Sequence, residues 1–241
     1  MTSESDVQES ITAFWSAVAP HYDEHPGNIV PFGIEEYERW TELIRRALPQ
    51  APSDLLDVCT GTGFSALIAA ALGHRVTGID LASSMLRIAR VKAKERGLEA
   101  RFVEDDAAAL ALTLPSYDVV LCRHAMWTLR DAHQAIRRWR NVLRPNGRVV
   151  VIDSFHAWSR PDPASEQDQF FYEHYTPDVR AALPFMHARD KEAVLAAFEG
   201  AGYDNVVVDD LPQSFGDGAS RPYILIAHRG VDPRNSADPW R

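Results

Sequence analysis

The chain has 241 residues, of which 46% are hydrophobic, and its formal net charge is −9, from 34 acidic and 25 basic residues. This length fits one large domain with a sizeable core. The acidic balance lacks the basic footprint of a nucleic-acid binder, so we expect a small-molecule partner and no nucleic acid. Two cysteines are too few for a secreted disulfide framework.

The sequence also shows no targeting or membrane segment. Its first ten residues, MTSESDVQES, are polar and acidic, unlike a signal peptide. No apolar run approaches the ~20 residues of a membrane span. These features predict a cytoplasmic protein with no membrane partner, present as a monomer or a homodimer.

Residues 1–50 are expected to form a helical cap. Two helices are predicted there, from SDVQESITAFWSAVAP and from GIEEYERWTELIRRAL. From residue 55 onward strands and helices alternate, in the order DLLDVCT, FSALIAAALG, HRVTGID, SSMLRIARVKAKERG and ARFVEDD. The second of these helices is predicted to have a serine cap at its start and Gly97 at its end.

The alternation continues with the strand YDVVLCRH, the helix DAHQAIRRWRNVLRPNG capped by Asp131, and the strand RVVVIDSF. Residues 156–189 interrupt the pattern, and we expect them to form a lid or substrate insertion. The helix DKEAVLAAFEGAG and an antiparallel hairpin of NVVVDDL and RPYILIAHR follow. The whole pattern predicts an α/β fold with a doubly wound, seven-stranded, mostly parallel sheet, in which residues 51–241 form the main domain.

A glycine turn follows the first strand. Gly61, Gly63 and Ala66 fit the G-x-G-x-x-G/A spacing of dinucleotide-binding turns. Asp57, four residues ahead of Gly61, disfavours a pyrophosphate and favours an ammonium or a sulfonium. Asp80 ends the next strand, where a carboxylate accepts hydrogen bonds from ribose hydroxyls. S-adenosylmethionine, which has a ribose and a positive charge but no phosphate, satisfies both acids.

Over roughly residues 15–155 the chain resembles the class I S-adenosylmethionine-dependent methyltransferases. LLDVCTGTG resembles the first motif of that family, with Cys59 in place of its first glycine, and VTGIDLASSML resembles the second. FVEDDAAAL, YDVVLCRHAMWTL and VLRPNGRVVVID resemble the later motifs, and AFWSAVAPHYDE resembles the segment that covers the methionine end. The resemblance implies a Rossmann-like fold and S-adenosylmethionine as the cofactor.

The resemblance also implies where the cofactor binds. Asp106 matches an aspartate that contacts the adenine amino group, the Ala107 backbone matches a ring contact, and Tyr22 lies in the covering segment. Arg123 is expected to pair with the methionine carboxylate or with the acceptor. The expected cofactor residues are Tyr22, Asp57, Cys59, Thr60, Gly61, Gly63, Asp80, Leu81, Met85, Asp106, Ala107 and Arg123.

Methyl transfer requires alignment and exclusion of water, and it requires a base where the acceptor loses a proton. His124 is the candidate catalytic base, because it follows the fourth strand and histidine titrates near pH 7. The expected substrate contacts are Trp127, His156, Tyr172 and Tyr175. No metal is expected, because no zinc-ligand spacing is present.

The leading hypothesis is O- or N-methylation of a small aromatic or apolar molecule, in secondary metabolism. One alternative is a C-methyltransferase of quinone biosynthesis, which needs access to a membrane-borne lipid. No basic amphipathic helix is evident in the sequence to favour that alternative. A non-catalytic S-adenosylmethionine-binding regulator and an NAD-dependent dehydrogenase are further alternatives, and Asp57 argues against the dehydrogenase.

Overall fold

The computed structural model describes residues 4–24, 35–110, 116–155, 165–215 and 220–230. Its strands are β1 (Asp54–Val58), β2 (Arg75–Asp80), β3 (Ala100–Glu104), β4 (Tyr117–Arg123), β5 (Leu143–Phe155), β6 (Asp204–Asp210) and β7 (Arg221–His228). They form one sheet in the order β3-β2-β1-β4-β5-β7-β6. Only β7, between β5 and β6, runs antiparallel to its neighbours. The predicted seven-stranded, mostly parallel sheet with a C-terminal hairpin is confirmed.

Helices cover both faces of this sheet. The helices are α1 (Glu4–Val18), α2 (Glu35–Ala47), α3 (Phe64–Ala71), α4 (Ser83–Glu95), α5 (Ala132–Val142), α6 (Glu166–His174), α7 (Pro177–Ala181) and α8 (Lys191–Gly200). Leu55 points to the layer of α2, α3 and α4, where Trp40 is buried, and Leu56 points to the layer of α5 and α8, where Trp139 is buried. This alternation is the period-2 pattern of a strand that is buried on both faces.

Three local predictions can be compared with the structure. Asp131 caps α5 as predicted, by accepting a hydrogen bond from the Gln134 backbone N–H at 3.3 Å. The predicted serine cap of α4 is wrong, because Ala82 occupies the cap position and no side chain bonds there. The α5 segment ends at Val142, and the Pro-Asn-Gly turn predicted to close it lies within β5, at a register shift against β4.

The cap and the insertion meet each other outside the sheet. Ser10 Oγ in α1 donates a hydrogen bond to the His174 carbonyl of α6 at 2.8 Å, and the rings of Phe14 and Phe170 stack at 5.6 Å. By contrast, α2 packs on the sheet layer through Trp40. None of the helices in the described ranges combines the length and the apolar character needed to cross a membrane.

Gly78 in β2 leaves no space for a side chain, because an added Cβ would lie 2.8 Å from both the Phe102 ring and Thr60 Oγ1. We expect Gly78→Ala to lower the free energy of unfolding by about 1–3 kcal/mol, since it overpacks a buried site. Chemical denaturation measures this change. The control is Gly200→Ala, where no described atom lies within 4 Å of an added Cβ and no loss is expected. An unchanged stability of Gly78→Ala would contradict the packing.

Candidate functional site

A cleft lies at the carboxyl ends of β1 to β4, the edge at which doubly wound sheets bind ligands. Its empty volume is about 780 Å³, including space open to solvent. The loops after these strands form one wall and α1 forms the other. The predicted residues that line the cleft are Tyr22, Cys59, Gly61, Asp80, Leu81, Met85, Asp106, Ala107, Arg123 and His124.

Asp80 connects two loops at the base of this cleft. Its Oδ2 accepts a hydrogen bond from the Gly61 backbone N–H, and its Oδ1 accepts one from the Ala82 backbone N–H, both at 2.9 Å. Burial raises the pKa of Asp80, while these hydrogen bonds and one from the Leu81 backbone oppose the rise. The carboxylate is therefore fixed at the tip of β2, facing the ligand space.

The turn after β1 is held in a left-handed conformation. Cys59, Gly61 and Gly63 have φ angles of 53°, 55° and 86°. A non-glycine residue in this region costs about 1–2 kcal/mol, so Cys59 occupies a position that favours glycine. The backbone N–H of the buried Thr60 donates to the Ile79 carbonyl at 2.8 Å and connects the turn to β2.

Asp57 lies outside the main cleft, in the wall of a smaller cavity beside it. It is 2% exposed and accepts a hydrogen bond from Thr60 Oγ1. With Arg123 it lines this smaller cavity, which shares Cys59 and Gly61 with the main cleft. Burial raises the pKa of Asp57 to about 7, against the hydrogen bond from Thr60 and the charge of Arg123. Its carboxyl therefore titrates near neutral pH.

Arg123 and His124 end β4 at the cleft. The Arg123 guanidinium lies over two rings, 4.3 Å from the centroid of Trp40 and 4.1 Å from that of Phe64, which fixes its orientation. Burial lowers the pKa of Arg123, and the nearby Asp57 opposes this shift. The His124 backbone is left-handed, with φ 52°, and its N–H donates to the Ile152 carbonyl at 2.9 Å.

The loop after β3 places two more acids in the cleft. Asp106 Oδ1 accepts a hydrogen bond from the Ala108 backbone N–H at 2.8 Å, and Asp105 Oδ1 accepts one from the Asp106 N–H at 2.9 Å. Trp139 Nε1 donates to the Ala107 carbonyl at 2.9 Å. These bonds fix the backbone of the loop next to the ligand space.

Four cleft residues of α1 were missed from the sequence: Gln8, Ile11, Thr12 and Trp15. Their spacing is i, i+3, i+4, i+7, the pattern of one helix face, and this was the signal available in the sequence. Arg130, also missed, lines the cleft and donates to Gln8 Oε1 at 3.4 Å. It lies 4.0 Å from Asp106 and so connects the helix to the loop after β3.

A hydrogen-bonded network of three side chains, Asp23, Thr62 and Lys92, joins the chain after α1 to the glycine turn. Lys92 Nζ lies 2.6 Å from Asp23 Oδ2 and donates to Thr62 Oγ1 at 3.0 Å, and Thr62 Oγ1 donates to Asp23 Oδ1 at 2.7 Å. This network fixes the position of the 3₁₀ turn Ala19–Glu24, and the turn places Tyr22 near Gly61.

The predicted substrate residues that are described do not line the cleft. Tyr175 is fully buried, and its hydroxyl accepts a hydrogen bond from Trp15 Nε1 at 3.1 Å. The Trp127 ring packs 5.5 Å from the Tyr175 ring, and the Arg180 guanidinium lies 4.9 Å from the Tyr172 ring. Tyr175 and Trp127 thus pack against Trp15 of α1. His156 lies outside the described residues.

Comparison with known proteins identifies the domain. Residues 55–147 match a family model described as a methyltransferase domain. A demethylmenaquinone methyltransferase of Thermus thermophilus is 39% identical over 142 residues, which are 58% of this chain and 63% of that protein. A ubiquinone/menaquinone biosynthesis C-methyltransferase of Bdellovibrio bacteriovorus is 33% identical over 155 residues, 64% of this chain and 65% of that protein. The matches thus span less than two thirds of either relative.

A solved structure has a similar fold. The S-adenosylmethionine-dependent methyltransferase of Methanosarcina mazei has a TM-score of 0.59 to this chain, covers 79% of this chain and 98% of its own, and is 21% identical. At that identity the likeness concerns the fold. Residues 55–147 therefore carry a methyltransferase domain, and the fold around them is that of an S-adenosylmethionine-dependent methyltransferase.

The charges of the cleft suit S-adenosylmethionine, the cofactor expected from the sequence. The cleft is lined by three acids, Asp80, Asp105 and Asp106, and by two arginines, Arg123 and Arg130. The acids exceed the arginines by one, which favours a cationic ligand over a pyrophosphate. Among the residues that the structure describes, no group of three or more His, Cys, Asp or Glu side chains is arranged to hold a metal ion.

We expect Lys92→Met to loosen the 3₁₀ turn, because it leaves Asp23 without its cationic partner. Hydrogen exchange of the amides of residues 19–24 should be about tenfold faster, since charged hydrogen bonds contribute on the order of 1.5–3 kcal/mol. Lys94→Met, which removes an exposed lysine of the same helix, is the control and should change nothing there. Unchanged hydrogen exchange of these amides in Lys92→Met would show that the network does not fix the turn.

Proposed function

We propose that this protein transfers the methyl group of S-adenosylmethionine to a ring carbon of a quinol. The observation that carries the proposal is the identity, 39% and 33%, to two proteins named as methyltransferases of menaquinone or ubiquinone/menaquinone biosynthesis. These relatives favour the quinone-type alternative over the O- or N-methylation that leads among the expectations from the sequence. Ile11 and Trp15 of α1, which line the cleft, offer apolar contact to such a ring and are consistent with it.

In this proposal the nucleoside half of the cofactor binds along the strand tips. Asp80 accepts hydrogen bonds from the ribose hydroxyls, because its carboxylate is already fixed by the loop backbone. Asp106 accepts from the adenine amino group, and the Ala107 backbone contacts the ring. Leu81 and Met85 line the cleft beside these groups and supply apolar contact to the base.

The amino-acid half binds at the smaller cavity. Arg123 pairs with the carboxylate, since its guanidinium is held between Trp40 and Phe64. Asp57 attracts the ammonium, and Tyr22 covers this end from the 3₁₀ turn. Cys59, Thr60, Gly61 and Gly63 provide the turn that lets the backbone approach the ligand.

The acceptor binds between the cofactor and α1. The cofactor supplies an electrophilic methyl group. His124 accepts the proton of a ring hydroxyl, which raises the electron density at the ring carbon to be methylated. After the transfer that carbon loses its own hydrogen as a proton, the ring oxygen regains the proton held by His124, and S-adenosylhomocysteine is the second product. Ile11 and Trp15 line the acceptor side and exclude water. The α1 helix, the turn that follows it and the helices of residues 165–189 together form the cap and lid of this site.

The pH dependence of cofactor binding tests the role of Asp57. Its pKa of about 7 belongs to the free protein: burial raises it most, the hydrogen bond from Thr60, the charge of Arg123 and the Ala66 N–H lower it, and Asp80 adds a smaller rise. An ammonium stabilises the ionised form, so the dissociation constant of S-adenosylhomocysteine should rise as the pH falls below about 7. The limiting slope is about tenfold per pH unit. Isothermal titration calorimetry between pH 5.5 and 8 measures it.

Asp57→Asn is the matched control, because an amide oxygen still accepts the hydrogen bond from Thr60 but does not titrate. Its dissociation constant should be independent of pH over this range. A wild-type slope that persists in Asp57→Asn would show that another group titrates, and would contradict the role assigned to Asp57.

The acceptor proposal is tested with a water-soluble demethylmenaquinol that carries a shortened isoprenoid tail. We expect turnover with S-adenosylmethionine, and we expect mass spectrometry and NMR to place the new methyl group on a ring carbon. His124→Asn, chosen because asparagine tolerates the left-handed backbone, should lower kcat by about 100-fold or more. It should leave the affinity for S-adenosylhomocysteine within about threefold, below 1 kcal/mol.

His133→Asn, at an exposed histidine of α5, is the control and should keep the wild-type kcat. A methyl group found on oxygen or nitrogen would refute C-methylation and restore the leading expectation from the sequence. Binding of the cofactor without turnover of any ring acceptor would instead favour the alternative of a non-catalytic S-adenosylmethionine-binding regulator.

A further inference from the structure

A chain of hydrogen bonds joins α1, the insertion and the loop after β4. Trp15 Nε1 in α1 donates to the hydroxyl of Tyr175 at 3.1 Å, and that hydroxyl also bonds to Thr128 Oγ1. Tyr175 directly follows α6 and is fully buried. Trp15 and Thr128 both line the main cleft, one from α1 and the other from the loop after β4. The chain thus connects two walls of the cleft through a residue that does not itself reach it.

The direction of these hydrogen bonds follows from the groups that form them. An indole N–H can only donate, so the Tyr175 hydroxyl accepts from Trp15. Burial raises the pKa of Tyr175, so its hydroxyl keeps its own proton near neutral pH. Among the residues that the structure describes, Thr128 Oγ1 is the other group bonded to this hydroxyl. A buried donor without an acceptor is costly, so Tyr175 donates to Thr128.

The hydroxyl proton of Thr128 is then left for a partner in the cleft. Its oxygen accepts from Tyr175, and no described residue accepts its proton. Thr128 is only 9% exposed and lines the cleft, so the cleft is the direction open to this proton. A purely structural role would satisfy Tyr175 but would leave the Thr128 proton without an acceptor in the described part of the protein. Thr128 therefore presents a hydrogen-bond donor to the ligand space.

The backbone around Thr128 is fixed, which gives this donor a defined position. Thr128 ends the 3₁₀ turn Met126–Thr128, and its N–H donates to the Ala125 carbonyl at 3.1 Å. The Met126 N–H donates to Oδ2 of the buried Asp153 at 2.8 Å. A donor that is held in place before the ligand arrives loses little freedom on binding and so contributes to specificity.

The partner chain of hydrogen bonds places Thr128 on the acceptor side of the cleft. In α1, Gln8 lies at the end where Arg130 approaches Asp106, the expected adenine contact. Trp15 lies seven residues further along the helix, which is about 10 Å. Thr128 is joined to this second half of α1, where the proposed function places the acceptor.

We propose that the Thr128 hydroxyl donates a hydrogen bond to a ring oxygen of the acceptor, and that Tyr175 positions this hydroxyl. The inference rests on the proposed function, in which His124 takes the proton of a ring hydroxyl. His124 and Thr128 lie four residues apart in the loop after β4, and both line the cleft. A quinol has two ring oxygens, so each residue can bind one of them. The Thr128 donor then selects rings that carry oxygen over hydrocarbon rings.

Calorimetry with saturating S-adenosylhomocysteine tests the proposal without turnover. The probes are 1,4-dihydroxynaphthalene, under reducing conditions, and naphthalene. Thr128→Val keeps the shape of the side chain and removes the donor, so the affinity for the dihydroxy compound relative to naphthalene should fall about tenfold. Thr128→Ser keeps the hydroxyl and should preserve this ratio within about threefold. The affinity for S-adenosylhomocysteine itself should stay within about threefold in both variants.

Tyr175→Phe tests the positioning role. It removes the hydroxyl and keeps the ring, which stacks on Phe171 at 4.5 Å. The affinity ratio of the two probes should fall about threefold or more in this variant, and Tyr175→Phe should change it no further when Thr128 is already valine. Circular dichroism and thermal melting check that all variants are folded. If Thr128→Val alone does not fold, the double variant, which leaves no Tyr175 hydroxyl unpaired, takes its place in the comparison.

Several outcomes would overturn the proposal. An unchanged ratio in Thr128→Val, or an equal loss of affinity for both probes, would show that Thr128 contributes packing alone. An effect of Tyr175→Phe that persists in full beside Thr128→Val would refute the positioning role. Absence of binding of either probe would refute both this inference and the proposed function.

The two proposals can also fail separately. Methyl transfer to oxygen or nitrogen, with the ratio still lowered by Thr128→Val, would refute C-methylation and keep the role of Thr128. Methyl transfer to a ring carbon with an unchanged ratio would refute only the role of Thr128.

Discussion

The carboxylate of Asp80 is the constraint on which the rest of the site depends. The tips of the parallel strands β1 and β2 meet at one edge, so one side chain bonds both the Gly61 turn and the start of α4. A buried carboxylate is costly, and its raised pKa reflects that cost. Three backbone N–H groups, of Gly61, Leu81 and Ala82, offset part of it, and in our account the hydroxyls and positive charge of the cofactor offset more.

Periodicity in the sequence was sufficient to predict the order of strands and helices and the type of sheet. Strands that are buried on both faces and amphipathic helices each have a recognisable local pattern. It was also sufficient to predict that Asp80 and Asp106 line the cleft, because an acid at the end of a parallel strand lies at that edge of the sheet whatever the details of packing. It did not reveal that Asp57 is buried beside Arg123, which depends on how α2 brings Trp40 over that arginine. Nor did it show that Tyr175 packs against Trp15 of α1, since that contact joins segments 160 residues apart.

Charge is separated within the molecule in a way that the net value conceals. The acids Asp80, Asp105 and Asp106 gather at the carboxyl ends of the strands, where a cationic cofactor is expected. Cations lie along the exposed face of α4, at Arg87, Arg90 and Lys94. In the proposed function the acceptor meets α1, the part of the cleft that is least determined by the shared fold. A common cofactor edge with a separate acceptor wall is how one fold serves different acceptors.

Titration calorimetry with two competing ligand types tests the central claim most directly. The account predicts that the protein binds S-adenosylhomocysteine, that Asp80→Ala weakens this binding at least tenfold, about 1.4 kcal/mol, while remaining folded, and that reduced nicotinamide dinucleotide gives no heat. Heat with the dinucleotide and none with S-adenosylhomocysteine would contradict it, because the acids at the strand tips would then accommodate a pyrophosphate.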